Sequence, residues 1–401
     1  MNVRVLPPPP SVLAAATFAE RLQRLERLTQ QFAQRAAAHD KSGEFTFENF
    51  AQLHAEQLLA LTVPRDQGGL GFGLAEAVQV VGQVAQADPS TALTLAMQYL
   101  QLHSLNTRAH WPAAVKQQVL SSAVLEGALI NALRVEPQLG SPSRGGLPNS
   151  IATRTEQGWL LTGSKQYCTG SHGLTWFSVF ARTDDQSPLL GSWLVHKDTP
   201  GIRIIEDWDQ LGMRATASHL IEFDQVLIPL ERVSRLRPAS DPDSRSDLDS
   251  NGLLWMNSLL GALYNGIAQA ARDWLVQWLH ERQPSGLGAS LATLPRFAQL
   301  VGQIDSLLLS NRSLLNSAVS GQLAEHEFSQ LKYLTTDNAI RAVSLALEGS
   351  GNPGLAKSNP LERHYRNVLC GRVHTPQNDA VLLSSGQTAL LLSVLNKDLP
   401  A

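Results

Sequence analysis

This sequence of 401 residues has little cysteine, no long apolar run and no excess of charge of one sign. Its two cysteines, Cys168 and Cys370, lie far apart and form no CxxC pair, so neither a disulfide framework nor a metal site is expected. The 32 Lys and Arg against 35 Asp and Glu give a formal net charge of −3, which argues against nucleic acid or an anionic membrane as the main partner. No stretch approaches the roughly 18 to 20 apolar residues that span a bilayer.

The amino-terminal residues also lack the features of a secretory signal. Four prolines, Pro7–Pro10, interrupt the stretch where a signal peptide has its continuous apolar region. A reducing compartment suits two cysteines that have no obvious partner. We therefore predict a soluble cytoplasmic protein, long enough for two or three domains, whose 43% hydrophobic residues are ordinary for a globular chain.

What the sequence does contain falls into three successive regimes of composition. Residues 11–126 are rich in Ala, Leu and Gln at helical spacing and predict an N-terminal α-helical domain. Residues 127–235 hold short runs of β-branched and aromatic residues between Gly, Asp and Pro, which predict a middle β-domain, either a small barrel or a sandwich. Residues 236–251 predict a polar connector, and residues 252–395 are helical again. The expected fold class is α+β, mainly α.

Two details of the helical domain follow from its spacing. Phe18, Leu25 and Phe32 lie on one stripe of a predicted amphipathic helix. Further on, a long apolar pattern is broken at Asp88-Pro89-Ser90, where Asp88 or Ser90 is available as the N-cap of a second helix.

Several motifs, in a fixed order, are similar to those of one flavoprotein family. They are VPRDQGGLGFG (63–73), GWLLTGSKQYCTGS (158–171) and DWDQLGMRATASHLIEFDQVLIP (207–229), followed by WLHERQPSG and PLERHYRNV. Together they resemble the acyl-CoA dehydrogenase superfamily over about residues 15–390. The resemblance implies an N-terminal helical domain, a middle β-barrel and a C-terminal four-helix bundle. It also implies a bound flavin (FAD or FMN), a small-molecule substrate and a homotetramer.

The resemblance implies that residues from several parts of the chain contact the flavin. These are Asn131, Tyr167, Thr169, Gly170, Ser171, Trp208, Arg282 and Gly349, with Gly140, Ser141, Thr216 and Ser218 as further candidates. Thr169 matches a residue that bonds near flavin N5. Arg282 matches an arginine that reaches the flavin phosphates, usually those bound by a neighbouring subunit. Without the resemblance, the same residues are typical of a polar strand end, a core aromatic side chain and an exposed arginine at a helix end.

The catalytic glutamate of an acyl-CoA dehydrogenase is absent from both places where the family carries it. Residues 374–376, His-Thr-Pro, occupy the first place, and Met256-Asn257 occupies the second. Glu348 and Glu362 are the nearest acidic candidates, and neither falls in the matching register. Removal of a proton α to a thioester carbonyl needs a general base, so the missing carboxylate argues against ordinary acyl-CoA dehydrogenation.

The segment RHYRNVLCGRVHTP (363–376) instead resembles a second branch of the same fold, the dibenzothiophene monooxygenase-like two-component flavin monooxygenases. The matching positions are Arg363, His364, Arg366, Asn367, His374 and Pro376. The resemblance implies His374 and Thr169 as catalytic residues, with His374 beside the flavin C4a edge. An imidazole can hydrogen-bond a peroxide oxygen, whereas a carboxylate repels a peroxide anion. The alternative is a structural histidine at the end of the final helix.

A second histidine of that branch is replaced in this sequence. Its position matches Gln98, and His103 lies about one and a half turns further along the same helix. Gln98, Tyr99 and His103 are therefore the candidates for substrate binding.

The function predicted on this basis is oxygen-dependent. Reduced flavin from a separate flavin reductase would react with O2 to a C4a-(hydro)peroxyflavin, which would oxidise a small heteroatom-containing substrate. One alternative is a FAD-dependent acyl-CoA dehydrogenase with a displaced catalytic base. A second is a catalytically silent flavin-binding scaffold.

Overall fold

A computed structural model describes residues 16–108, 110–140, 145–245 and 248–395. The N-terminal helices are α1 (Phe18–Ser42), α2 (Phe47–Ala55), α3 (Leu74–Ala87), α4 (Pro89–Thr107) and α5 (Ala113–Leu125). Leu25 and Phe32 of α1 are buried, as the predicted stripe requires. The predicted break is also confirmed, and Asp88 is the N-cap, since its carboxylate accepts hydrogen bonds from the first N–H groups of α4.

The middle of the chain forms one eight-stranded sheet. Its strands are β1 (Leu129–Leu133), β2 (Ile151–Arg154), β3 (Trp159–Lys165), β4 (Leu174–Thr183), β5 (Leu189–His196), β6 (Ile202–Ile205), β7 (Leu220–Ile228) and β8 (Arg237–Pro238). They are hydrogen-bonded in the order β6-β7-β3-β2-β4-β5-β8, with β1 added to β4. β1 and β2 pair with β4 in parallel, and the other pairs are antiparallel. The predicted middle β-domain corresponds to this sheet.

The C-terminal part is a bundle of long helices with shorter ones packed on it. The helices are α6 (Ser250–Glu281), α7 (Pro295–Val319), α8 (Phe328–Ser350), α9 (Asn352–Leu355), α10 (Pro360–Leu369) and α11 (Asn378–Leu395). A short β8 and a 3₁₀ turn at 242–245 lie within the predicted connector, and α6 begins two residues before the predicted start of the bundle at 252. In the described residues no helix is long and apolar enough to cross a membrane.

The loop between β6 and β7 is the point where the sheet meets the bundle. Arg366 of α10 pairs with Asp40 of α1 at 2.6 Å and donates to the Leu211 carbonyl at 2.9 Å. A Cβ on Gly212 would lie 2.4 Å from the Arg366 carbonyl oxygen, so only glycine permits this approach. The Asn367 side chain accepts a hydrogen bond from Met213 N–H at 2.7 Å. These contacts fix α10, and the loop that follows it, against the sheet.

Candidate functional site

The turn after β3 carries four of the predicted flavin residues, Tyr167 and Thr169–Ser171. Tyr167 and Gly170 have positive φ, 59° and 82°, which makes the turn tight. A Cβ on Gly170 would lie 3.0 Å from Thr94 Cγ2 of α4, so a side chain here would press on the neighbouring domain. The buried Ser171 hydroxyl donates to the Ala217 carbonyl at 2.6 Å and ties the turn to the segment before β7.

A row of hydroxyl groups ends at Thr169. The Ser218 hydroxyl donates to Thr169 Oγ1 over 3.2 Å, and Ser218 Oγ lies 2.7 Å from Thr216 Oγ1. Asn131 of β1 donates its amide to the Thr169 carbonyl at 3.0 Å. The Thr216 hydroxyl also contacts the Met213 carbonyl at 2.8 Å, so the row is a chain of shared protons with Thr169 Oγ1 at its other end. There the Thr169 hydroxyl can donate to a ligand or accept from one.

Trp208 lies at the same place and is held from two sides. Its indole N–H donates to the Met213 carbonyl at 3.1 Å, and its backbone N–H donates to His219 Nδ1 at 3.1 Å. The Tyr167 ring meets the indole edge-on, with ring centroids 6.1 Å apart. Since Met213 also binds Asn367 of α10, the predicted flavin residues around Trp208 and the start of the RHYRNVLCGRVHTP segment are joined through one residue.

Backbone strain is concentrated around this turn. Tyr167, Met213 and Ala217 are non-glycine residues with positive φ, at 59°, 53° and 45°. Such conformations cost on the order of 1–3 kcal/mol each and persist where the surroundings impose them, often at ligand sites. Three such residues lie in this one group of contacting segments, a pattern more typical of ligand sites than of simple strand ends.

His374 lies in the loop between α10 and α11, packed against α6. Its Nδ1 is 2.9 Å from the Tyr264 hydroxyl, and the two rings are tilted with centroids 5.7 Å apart. Burial, with a further contribution from the Lys332 cation, lowers the pKa of His374 to about 4. Burial also raises the pKa of Tyr264 well above its usual value. At neutral pH both groups are therefore uncharged.

The backbone of the His374 loop is held by a buried cation. Lys332 of α8 is 0% exposed, and its Nζ donates to the carbonyls of His374 at 2.9 Å and Pro376 at 3.1 Å and to Asn378 Oδ1 at 3.3 Å. These three acceptors match the three donors of an ammonium group. Burial lowers the pKa of Lys332 to about 8. No carboxylate binds this lysine within the described residues, so its hydrogen-bonding capacity is committed to the loop.

Three family models match successive parts of this chain. The acyl-CoA dehydrogenase N-terminal domain matches residues 20–121, the middle domain matches residues 134–226 and the C-terminal domain matches residues 250–375. The putative acyl-CoA dehydrogenase YdbM of Bacillus subtilis (strain 168) is 31% identical over 90% of this chain and 94% of its own length.

The chain belongs to the acyl-CoA dehydrogenase family.

Relatives named for another activity match over a similar share of this chain. L-evernosamine nitrososynthase of Micromonospora sp. is 30% identical over 88% of this chain and 86% of its own length. Among solved structures, KijD3 in complex with FMN and dTDP-3-amino-2,3,6-trideoxy-4-keto-3-methyl-D-glucose has a TM-score of 0.80 and 27% identity, covering 94% of this chain and 96% of that one. The predicted family and fold are thus confirmed, and the family contains both named dehydrogenases and named nitrososynthases.

The predicted substrate residues of this family member lie on α4 and are already engaged. Gln98 is buried, donates to the Ala128 carbonyl at 3.1 Å and accepts from Ile130 N–H at 2.7 Å. The Tyr99 hydroxyl donates to the Leu58 carbonyl at 2.7 Å. Their observed bonds tie α4 to neighbouring segments, and their part in substrate binding stays a prediction.

His103 contacts the first turns of α6. Its ring stacks on Trp255 with centroids 4.0 Å apart, and its Nε2 accepts from the Asn251 amide at 3.0 Å. Burial lowers the pKa of His103 to about 4, with Asp249 opposing this shift and Arg108 adding to it. This histidine is therefore neutral, and its role in substrate binding also stays a prediction.

Arg282 and Gly349 lie apart from the other predicted flavin residues. Arg282 caps the C-terminus of α6, 18 residues or about 27 Å beyond Tyr264 along the helix, and its side chain is exposed. Gly349 lines a pocket of about 430 Å³ together with Trp278 and Arg296. A Cβ on Gly349 would lie 2.3 Å from Leu300 Cδ2. Their contact with flavin stays a prediction, and the candidate Ser141 lies outside the described residues.

Two polar side chains on α6 were not predicted as site residues. Asn257 and Ser258 are 0% exposed, and the amide atoms of Asn257 and the hydroxyl of Ser258 have no hydrogen-bond partner within the described residues. Asn257 lies seven residues, or two turns, before Tyr264, so both occupy one side of the helix. Buried polar atoms almost always have hydrogen-bond partners, so a ligand or a water is expected beside the Asn257 and Ser258 atoms. The one available signal was that Asn257 falls where some relatives carry their base.

A buried ion pair beside the turn after β3 was also missed. Glu136 accepts from Lys165 Nζ at 2.6 Å, from the backbone N–H of Asn149 and from both the N–H and the hydroxyl of Ser150. Lys165 is the last residue of β3, two residues before Tyr167. The pair therefore stabilises the end of the strand that leads into the turn. The described residues contain no cluster of three or more His, Cys, Asp or Glu side chains suited to a metal.

Proposed function

We propose that this chain is a flavin-dependent monooxygenase that takes reduced flavin from a separate reductase and oxidises a small heteroatom-containing substrate. The observation that carries the proposal is the environment of His374. The loop at the usual place of the catalytic glutamate presents a neutral imidazole, and residues 363–378 contain no Asp or Glu. A neutral imidazole with a lowered pKa is a poor base for a carbon acid but a good hydrogen-bond donor to oxygen.

Flavin fits the group of residues around Thr169. The Thr169 hydroxyl stands at the end of the hydroxyl row, Gly170 lets the turn pack closely against Thr94 of α4, and Trp208 and Tyr167 supply aromatic surface beside it. These residues would hold the ring system, with Asn131 fixing the Thr169 carbonyl. When bound, reduced flavin supplies two electrons to O2 and so provides an oxygen donor. The protein's part is to orient the substrate, exclude water and place the His374 donor.

The substrate is proposed to carry a polar nitrogen or sulfur group. The unpartnered amide of Asn257 and the hydroxyl of Ser258 are buried on the bundle side of the fold. A polar substrate would satisfy these atoms, whereas a purely apolar acyl chain would leave them unpaired. Similarity to a nitrososynthase and to KijD3, whose bound ligand is an amino sugar nucleotide, supports oxidation of a small polar molecule.

The decisive experiment separates oxygen chemistry from dehydrogenation. Flavin-loaded protein mixed anaerobically with a panel of acyl-CoA thioesters should stay yellow. Pre-reduced FMN or FAD mixed with the protein in air, together with a panel of small amines and thioethers, should give an oxygenated product detectable by mass spectrometry. Rapid anaerobic bleaching by a thioester would overturn the proposal. Failure of both reactions would favour the silent scaffold.

A FAD-dependent acyl-CoA dehydrogenase with a displaced base is the second candidate. The similarity to YdbM over nearly the full length of both chains favours it. Against it, Glu362 is engaged by Arg366 at 2.8 Å, and Glu348 lies near the C-terminal end of α8 beside Gly349. Neither carboxylate contacts the His374 loop within the described residues.

A homotetramer is proposed as the assembled state. Helix α11 leaves Leu382, Leu383 and Leu391 exposed by 53%, 64% and 65%. Several large apolar side chains on one terminal helix are unusual for a free surface and typical of an interface. Analytical ultracentrifugation of the purified protein tests this assembly.

Replacing Thr169 by valine is expected to weaken flavin binding about three- to tenfold, because one hydrogen bond to the ligand is lost while the side-chain volume is kept. Flavin titration followed by fluorescence quenching, carried out with FMN and with FAD, measures the change. Thr169→Ser keeps the hydroxyl and should bind like the wild type. An unchanged dissociation constant in Thr169→Val would remove Thr169 from the flavin contacts.

The pH profile of turnover should show no step near pH 6.5 that is due to His374. Its pKa is lowered to about 4 because burial and Lys332 disfavour the imidazolium, so the ring stays neutral throughout pH 6 to 8. The profile is measured with saturating substrate in wild type and His374→Gln. A step between pH 6 and 7 that is present only in the wild type would contradict this expectation.

A further inference from the structure

We infer that Tyr264 is a positioning residue that holds the neutral His374 ring as its Nε2–H tautomer, so that the ring presents a hydrogen-bond donor to the reacting ligand. The consequence for catalysis rests on the proposed function. The assignment of the tautomer itself rests on contacts within the protein without a ligand. It decides whether His374 offers a donor or an acceptor to an oxygen atom.

One placement of the protons gives both Tyr264 and His374 a hydrogen-bond partner. Two uncharged groups 2.9 Å apart share a single proton. If His374 Nδ1–H donated, the phenolic proton of Tyr264 would need a second acceptor. The Tyr264 side chain is 0% exposed, and its hydroxyl contacts no other acceptor within the described residues. The phenol therefore donates to Nδ1, and the ring proton is on Nε2.

The charge states of both partners agree with this assignment. Burial lowers the pKa of His374, with Lys332 contributing, and burial raises that of Tyr264. Neither an imidazolium nor a phenolate is present near neutral pH. The pair is thus a neutral donor and a neutral acceptor, and transfer of the proton from Tyr264 to His374 is disfavoured on both sides.

The position of the ring is fixed independently of the hydroxyl. Lys332 holds the carbonyls of His374 and Pro376, so the loop backbone is anchored to α8. Three residues earlier, a Cβ on Gly371 would lie 3.1 Å from Thr336 and 3.4 Å from Tyr264, so the chain passes close to α6 and α8. With the backbone held from one side and Nδ1 from another, the Nε2 edge is the part of the ring that remains open to a ligand.

The local sequence around Tyr264 carries no motif that assigns this residue to the site. It lies 110 residues from His374, in a mostly apolar stretch of α6 between Leu263 and Asn265. A tyrosine there is equally suited to packing alone. The 2.9 Å contact between the Tyr264 hydroxyl and His374 Nδ1 distinguishes a positioning role from packing alone, because packing alone requires no partner for the hydroxyl.

The test uses the flavin-free full chain labelled with ¹⁵N-histidine. The ring nitrogen signals of His374, identified by their loss in His374→Gln, should show a protonated Nε2 and an unprotonated Nδ1 in the wild type. In Tyr264→Phe the preference should be lost, and both tautomers should appear. Tyr333→Phe, on α8, is the matched control and should leave the spectrum unchanged. A protonated Nδ1 in the wild type, or an unaltered tautomer in Tyr264→Phe, would overturn the inference.

Turnover supplies a second readout. Tyr264→Phe should lower kcat about tenfold, the effect of losing one hydrogen bond that orients a catalytic group, with little change in KM. If Tyr264→Phe does not fold, the wild-type spectrum still decides the tautomer. If the wild type shows the Nε2–H form but forms no oxygenated product, the proposed function fails while the inference about Tyr264 stands.

Discussion

Replacing His374 by alanine is expected to reduce formation of oxygenated product by about 10²- to 10⁴-fold, the usual range for a proton donor in the active site. The imidazole is the neutral donor that the loop after α10 presents, and alanine leaves only water in its place. Flavin binding should be nearly unchanged, because the residues around Thr169 belong to the sheet and not to this loop. The electrons of reduced flavin would then be released to O2 without substrate oxidation.

The measurement is the ratio of oxygenated product to hydrogen peroxide in air, for the substrate that the amine and thioether panel identifies. The wild type should give mainly product and His374→Ala mainly peroxide. His280→Ala is the matched control, since His280 is an exposed histidine in the last turn of α6. Equal product yields in His374→Ala and wild type would show that His374 is structural. Loss of flavin binding in His374→Ala would show that the loop forms part of the flavin site.

The order of the helical and β regions could be predicted because its signals are local. Helical periodicity marked α1, and the Asp88-Pro89 break marked the start of α4. The residues around Thr169 and Trp208 were named from the resemblance of two motifs to the family, and their contact with flavin stays a prediction. The hydroxyl row was only partly predictable, because the contact between Thr169 and Ser218 joins two segments 49 residues apart.

The environment of His374 could not be predicted, since it depends on tertiary packing. Tyr264 and Lys332 lie 110 and 42 residues from it, on helices whose sequence patterns are typical of an ordinary bundle core. A lysine in such a pattern is normally expected at the surface. Only the docking of the loop between α6 and α8 makes the Lys332 ammonium group an anchor for three acceptors. Gln98 was predicted as a substrate-binding residue, and tertiary packing directs its amide to the backbone at the start of β1.

The largest effect on stability is expected at the buried Glu136–Lys165 pair. Glu136→Gln should lower the free energy of unfolding by about 3–5 kcal/mol, because it leaves the Lys165 ammonium group buried without a countercharge. Lys165 is 0% exposed, Glu136 is 2% exposed, and their charged atoms are 2.6 Å apart. Removing both charges in Glu136→Gln/Lys165→Met should restore much of the loss, since the unpaired charge is then absent.

Urea unfolding followed by circular dichroism measures these differences, with Glu222→Gln as the control. Glu222 pairs with Arg203 at 2.7 Å on the exposed face of the same sheet, and the loss there should stay below about 1 kcal/mol. A similar loss of stability in Glu136→Gln and Glu222→Gln would contradict the explanation that burial makes the Glu136–Lys165 pair important.

The pH dependence of the stability difference between wild type and Glu136→Gln tests whether this difference is electrostatic. Burial alone raises the pKa of Glu136, but Lys165 and the donors from Ser150 and Asn149 outweigh it, so the pKa is lowered. A carboxylate whose folded pKa is depressed stabilises the protein above its unfolded pKa of about 4.3, and this contribution is lost as pH falls through the folded value. The gap between wild type and Glu136→Gln should therefore be full near pH 7 and shrink below about pH 4. A gap that does not change with pH would mean that Glu136 acts through packing, and that the end of β3, and with it the turn carrying Thr169, is held by shape rather than by charge.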